Sequence, residues 1–172
     1  MPLYAFGDKV PTIHQRAFVH PDAVIIGDVT IGELSSIWPS AVLRGDSSRI
    51  VVGARTSIQD GAIIHCTSTL PTIIGSDCTI GHNAHLEGCQ VHDGALVGSG
   101  SLVLHEVVVS SGALVAAGAV CTTGLFVPAG ALAVGVPARV KEGAADAQTI
   151  AYSQETYVAN ATMYPTMMRR LD

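Results

Sequence analysis

A chain of 172 residues that is 48% hydrophobic and only 13% charged can bury one continuous core and needs no second one. Its net charge of −5 gives no electrostatic reason to expect nucleic acid as a partner, and no apolar run approaches the roughly 20 residues of a membrane-spanning helix. The N-terminus, Met1-Pro2-Leu3-Tyr4-Ala5-Phe6, lacks the charged start and apolar run of a secretion signal, so a cytoplasmic location is expected.

The segment up to about Phe18 reads as a lead-in. Beyond it an aliphatic residue recurs at every sixth position: Val19, Ile25, Ile31, Ile37, Leu43, and later Val91, Val97, Val103, Val109, Val115, with Cys121 next. Four residues after each stands a small or β-branched residue, as at Ala23, Val29, Ser35, Ala41, Ala95 and Ser101. A hexapeptide period is the pattern of a parallel β-helix, in which each turn is a short strand plus a bend and three turns make one coil. Cys78 and Cys121 fall on inward positions and read as small core residues.

Three breaks interrupt the register. Leu43 to Val52 holds three residues too many, Ile64 to Ile74 four too many, and Leu86 to Val91 one too few. Insertions in a solenoid leave as loops on one face, often a functional one. After Gly124 the pattern loosens and ends at Gly135-Val136-Pro137-Ala138. From about Ala144 the residues favour helix, expected to run to Arg170 with Pro165 kinking or dividing it. Ile150, Tyr157, Ala161 and Tyr164 recur near helical spacing as an apolar stripe. The expected organisation is an all-β solenoid over residues 1–143 and a helical segment over residues 144–172 packing on it.

The period also serves as a ruler. Turns centred on Leu43, Ile64 and Leu86 share one face, and those on Ile58 and Ile80 share another. Strand side chains alternate, so Arg44, His65 and Glu87 should form one outward row. Asp60 and His82 should stack at a different edge. A prism cannot bring His65 and His82 together, but two prisms side by side can, most simply in a homotrimer. His14, His20, His92 and His105 read as ordinary surface histidines with no polar cluster around them.

These residues lie in stretches that resemble the γ-class carbonic anhydrases and their bacterial relatives, within the left-handed β-helix hexapeptide superfamily. The resemblance rests on Ile37-Trp38, Val42-Leu43-Arg44-Gly45-Asp46, Ser57-Ile58-Gln59-Asp60-Gly61, Ile64-His65, Ile80-Gly81-His82-Asn83-Ala84 and Gly88-Cys89. It implies a left-handed parallel β-helix, a homotrimer, and a zinc-type metal held between subunits by three histidines, with Fe2+ or Co2+ as alternative ions. Two of those ligands map onto His65 and His82. Arg44, Asp46, Gln59 and the C-terminal Tyr157 map onto the residues around the family's site, and Asp60 onto its subunit contact.

The third ligand departs from the pattern. Glu87 stands where the third histidine belongs, and His85 where an aliphatic residue belongs. With Glu87 as ligand the set becomes two histidines and one carboxylate, a known catalytic zinc set that leaves a place for water. With His85 instead, a local shift would be needed, because the two lie roughly 6.6 Å apart along one strand. The implied function is attack of metal-bound hydroxide on CO2, oriented by Gln59 and weakened by the carboxylate. Two other readings stand beside it: a hexapeptide acyltransferase using acyl-CoA, and a metal-binding trimer without catalysis.

Overall fold

The computed structural model describes residues 2–172. The chain winds as a left-handed parallel β-helix whose strands, most of them two or three residues long, pair in parallel with the coils before and after. Three columns of aliphatic side chains result. Ile25, Leu43, Ile64, Leu86, Val103 and Cys121 stack on the first face. Ile31, Val52, Ile74, Val91, Val109 and Val127 stack on the second. Ile37, Ile58, Ile80, Val97 and Val115 stack on the third. All are 1% exposed or less. Burying one such side chain stabilises by about 1.5–3 kcal/mol. Strands this short contribute little alone, so the columns hold the coil.

The residues between columns satisfy the backbone at the bends. Ser35 Oγ donates to the Gly53 carbonyl at 2.6 Å and accepts the Thr56 N–H at 2.9 Å. Thr56 Oγ1 repeats the motif one coil on, with the Gly75 carbonyl at 2.7 Å and the Cys78 N–H at 3.0 Å. The Cys78 thiol extends it to the His92 carbonyl at 3.2 Å. Burial pushes that thiol's pKa up to about 12, so it remains a donor. Cys121, pushed up by burial to about 11, is a core residue in the same way.

The register breaks shape one edge of the prism. The first insertion lies within a single strand, Val42–Val52, which passes from the first face to the second and bulges at residues 46–49. The second forms the loop of residues 66–71 between the strands Ile63–His65 and Thr72–Ile74. Lys9 of the lead-in donates to the Asp46 and Ser47 carbonyls and ties the first bulge down. The deletion is absorbed at Gly88, whose φ of +61° suits a residue without a side chain. A β-carbon there would also press on Leu70 and the His105 ring.

The helix spans Ala147–Met167 and lies on the third face. Asp146 caps it by accepting the Gln148 and Thr149 N–H groups. The predicted stripe faces inward: Ile150 and Ala161 are buried, and Tyr157 and Tyr164 pack on Phe18 and Trp38. Small residues, Ser36, Ser57 and Thr79, line the face beneath and admit the helix closely. The Trp38 indole N–H, between the Ser36 and Ser57 hydroxyls at 3.0 Å from each, anchors that packing. Pro165 does not divide the helix: it falls in the final turn, so the one backbone bond its missing N–H forgoes lies near the helix end. No described helix is long and apolar enough to cross a membrane.

Candidate metal centre

The outward row on the first face exists as the ruler requires: Arg44 is in register with His65, and His65 with Glu87. His65 Nδ1 lies 2.9 Å from the Arg44 carbonyl. A carbonyl can only accept, so Nδ1 carries the proton and Nε2 presents a free lone pair. That Nε2 points towards Glu87 Oε1, 4.0 Å away. Arg44 Nη1 donates to Asp46 Oδ2 at 2.6 Å. Burial pushes the Asp46 carboxyl up, but the Arg44 hydrogen bond and charge, with His65, hold it below its ordinary value. Thr72 connects the row from inside, donating to the His65 carbonyl and accepting the Gly88 N–H at 2.8 Å.

A second cluster stands at the edge between the third face and the first. His82 Nδ1 is 2.9 Å from Asp60 Oδ2, so the carboxylate holds the Nδ1 proton and turns Nε2 outward. The Tyr157 hydroxyl reaches that Nε2 at 3.4 Å. Burial raises the Tyr157 pKa, and the Asp60 charge adds to the effect, so the phenol stays a donor. His82, Asp60 and Tyr157 border a cavity of about 270 Å³ with Trp38, Tyr164 and His20. Gln59 is buried beside Asp60 and joins neither set of hydrogen bonds.

His65 and His82 thus project from different faces. Among the described residues, the one group of three ligand-type side chains with donor atoms within 4.8 Å is Asp46, His65 and Cys66. Its members are already engaged: Asp46 by Arg44, and Cys66 Sγ by the Ser48 N–H at 3.2 Å. Cys89 is buried with its pKa pushed up to about 12, a core thiol. Of the two candidates for the third ligand, Glu87 lies beside His65 in register, whereas His85 lies beside Ile63. His85 Nε2 instead approaches Glu87 Oε2 at 3.5 Å.

One residue escapes the sequence reading. His105 is not an isolated surface histidine: its Nε2 is 3.7 Å from Glu87 Oε1. Carrying the ruler one coil further, from Leu86 to Val103, would have put His105 one coil beyond Gly88. His14 and His20 do have a local role, each accepting the backbone N–H two residues on, and His92 is exposed.

Residues 11–45 and 71–105 match the family described as bacterial transferase hexapeptide (six repeats). With the stacked columns, this makes the molecule a hexapeptide-repeat protein. The chain is 41% identical to the carnitine operon protein CaiE of Escherichia coli (strain K12), over 85% of this chain and 74% of that one. It is 48% identical to gamma carbonic anhydrase 2, mitochondrial, of Arabidopsis thaliana, over 59% of this chain but only 38% of the plant protein. A crystal structure of a hexapeptide transferase family protein from Anaplasma phagocytophilum superposes with a TM-score of 0.90 at 37% identity, over 95% of this chain and 98% of that one. The chain belongs to the γ-carbonic-anhydrase-like family of hexapeptide-repeat proteins.

Proposed function

We propose that the protein is a metal-dependent hydratase of CO2 whose site forms between two chains of a homotrimer, His65 and Glu87 from one and His82 from its neighbour. The observation that carries this reading is the matched preparation of two histidines on different faces. Each has Nδ1 held by an acceptor, the Arg44 carbonyl or the Asp60 carboxylate, and each turns an unprotonated Nε2 outward, that of His82 with the Tyr157 hydroxyl beside it. Imidazoles fixed in this way are the usual ligands of zinc. Two such nitrogens and one carboxylate fit a Zn2+, Fe2+ or Co2+ ion with an open position. When bound, the ion supplies Lewis acidity towards water.

The chain's own groups do the rest. Asp60 fixes the ring of His82, and Tyr157 offers a hydroxyl to the same edge. The Arg44–Asp46 pair stiffens the bulge beside His65. Gln59 orients the water that attacks CO2. Glu87 brings a negative charge where a third histidine would be neutral, so water at the site is a weaker acid and hydration is slow.

The test is CO2 hydration by zinc-loaded protein, parent against Glu87→His, with metal content measured on both. A slow parent rate that rises at least tenfold in Glu87→His supports the reading. A zinc-loaded parent and a zinc-loaded variant that are both inactive would contradict it. A crystal structure from Bacillus cereus described as a putative acetyltransferase, 34% identical with a TM-score of 0.93, keeps acyl transfer as a second reading, and tight binding of acetyl-CoA would favour that one.

A further inference from the structure

Glu87 is the meeting point of three imidazoles from three successive stretches of chain. His65 Nε2 lies 4.0 Å and His105 Nε2 3.7 Å from Oε1, and His85 Nε2 lies 3.5 Å from Oε2. His85 is an exception in its column, since its partners in register are Ile63 and Leu102. The His105 ring is 41% exposed, yet its Nε2 end is buried. Among the described residues, that Nε2 is the one buried side-chain nitrogen or oxygen without a hydrogen-bond partner. Buried polar atoms are almost always satisfied, so an orphan facing a carboxylate needs a reason.

From this arrangement we infer that His85 and His105 are positioning residues for Glu87. After a small ring rotation each imidazole N–H would donate to one carboxylate oxygen, so that Glu87 meets the metal in one orientation and through one oxygen. The inference rests on the reading of Glu87 as a metal ligand. It treats His85, Glu87 and His105 as one device that stands in for a single histidine. The two N–H donors draw charge from the carboxylate and bring it nearer to a neutral ligand.

His105 does not serve as a further ligand in this account. Ligands of one tetrahedral ion with bonds of about 2.0–2.1 Å lie roughly 3.4 Å from one another. Yet His65, Glu87 and His105 do not form a group with all donor atoms within 4.8 Å. The separations to Glu87 are instead a little beyond a hydrogen bond, within reach of a small ring rotation. Gly88 is what lets the His105 ring approach, since a β-carbon there would lie 3.1 Å from its Cδ2.

The experiment measures Zn2+ affinity by chelator competition, and the visible spectrum of the Co2+ form, in five variants: His105→Ala, His105→Gln, His85→Ala, Glu87→Ala and Glu87→Ala/His105→Ala. Oligomer mass and circular dichroism check the fold of each. The inference predicts that His105→Ala and His85→Ala each weaken Zn2+ about 10- to 100-fold and alter the Co2+ spectrum. It predicts that His105→Gln, which keeps an N–H donor, regains most of the affinity. In the Glu87→Ala background, His105→Ala should change nothing further. Unchanged affinity and spectrum in both single histidine variants, with loss in Glu87→Ala, would overturn the inference while sparing the Glu87 reading. Equal weakening by His105→Ala with and without Glu87 would also overturn it. A parent that binds no Zn2+, or a Glu87→Ala variant that binds it as tightly as the parent, would remove the Glu87 reading and this inference together.

Discussion

Asp46 shows how a single side chain is prepared before any ligand arrives. Its carboxylate is held ionised by Arg44, and the same pair braces the bulge that carries it. Because its folded pKa lies below the unfolded value of 3.8, its contribution is present above that value and is lost as pH falls through the lower folded one. Asp46→Asn should therefore cost at most about 1 kcal/mol near neutral pH, as the pair is partly solvated. The difference should vanish in acid. Denaturant unfolding of parent and variant at neutral pH and below the folded pKa checks this, and a difference that grew in acid would contradict it. The histidines illustrate the same principle with a tautomer rather than a charge: one acceptor at Nδ1 decides which nitrogen is free.

Among elements, the short strands and their bends divide the work. The strands supply inward aliphatic residues and outward rows, and the bends supply hydroxyls that satisfy neighbouring coils. Thr72 is the sharpest case, fully buried and bridging the His65 carbonyl to the Gly88 N–H. Thr72→Val keeps the shape and strands both groups, which should cost about 1–3 kcal/mol. A lowered thermal midpoint is the readout, and an unchanged midpoint would mean that water takes over both bonds. The bridging role of Thr72 was not legible in the sequence, because it depends on how a four-residue insertion folds back. The place of His105 one coil beyond Gly88 follows from the period, but the approach of its ring to Glu87 does not, because it depends on the space above a glycine. By contrast, the pairing of Arg44, His65 and Glu87 needed only the spacing of Leu43, Ile64 and Leu86, since a coil with a fixed core column has no freedom in register. The helix stripe was legible for a similar reason, while the helix ends at Met167 rather than at Arg170.

For the whole molecule, the prism geometry is what separates His65 from His82. No local adjustment within one coil can bridge two faces of a packed β-helix. On the proposed reading, the two prepared histidines meet across a junction of two chains, which a three-fold arrangement would close. The most direct test mixes two inactive variants, His65→Ala and His82→Ala, unfolded together and reassembled. Neither alone should bind Zn2+ tightly. In mixed oligomers, about a quarter of the junctions bring an intact His65 against an intact His82. Zinc binding should recover to about that fraction, with Glu87 supplied by the chain that keeps His65. Reassembled mixtures that bind no more zinc than either variant alone would contradict a site shared between chains.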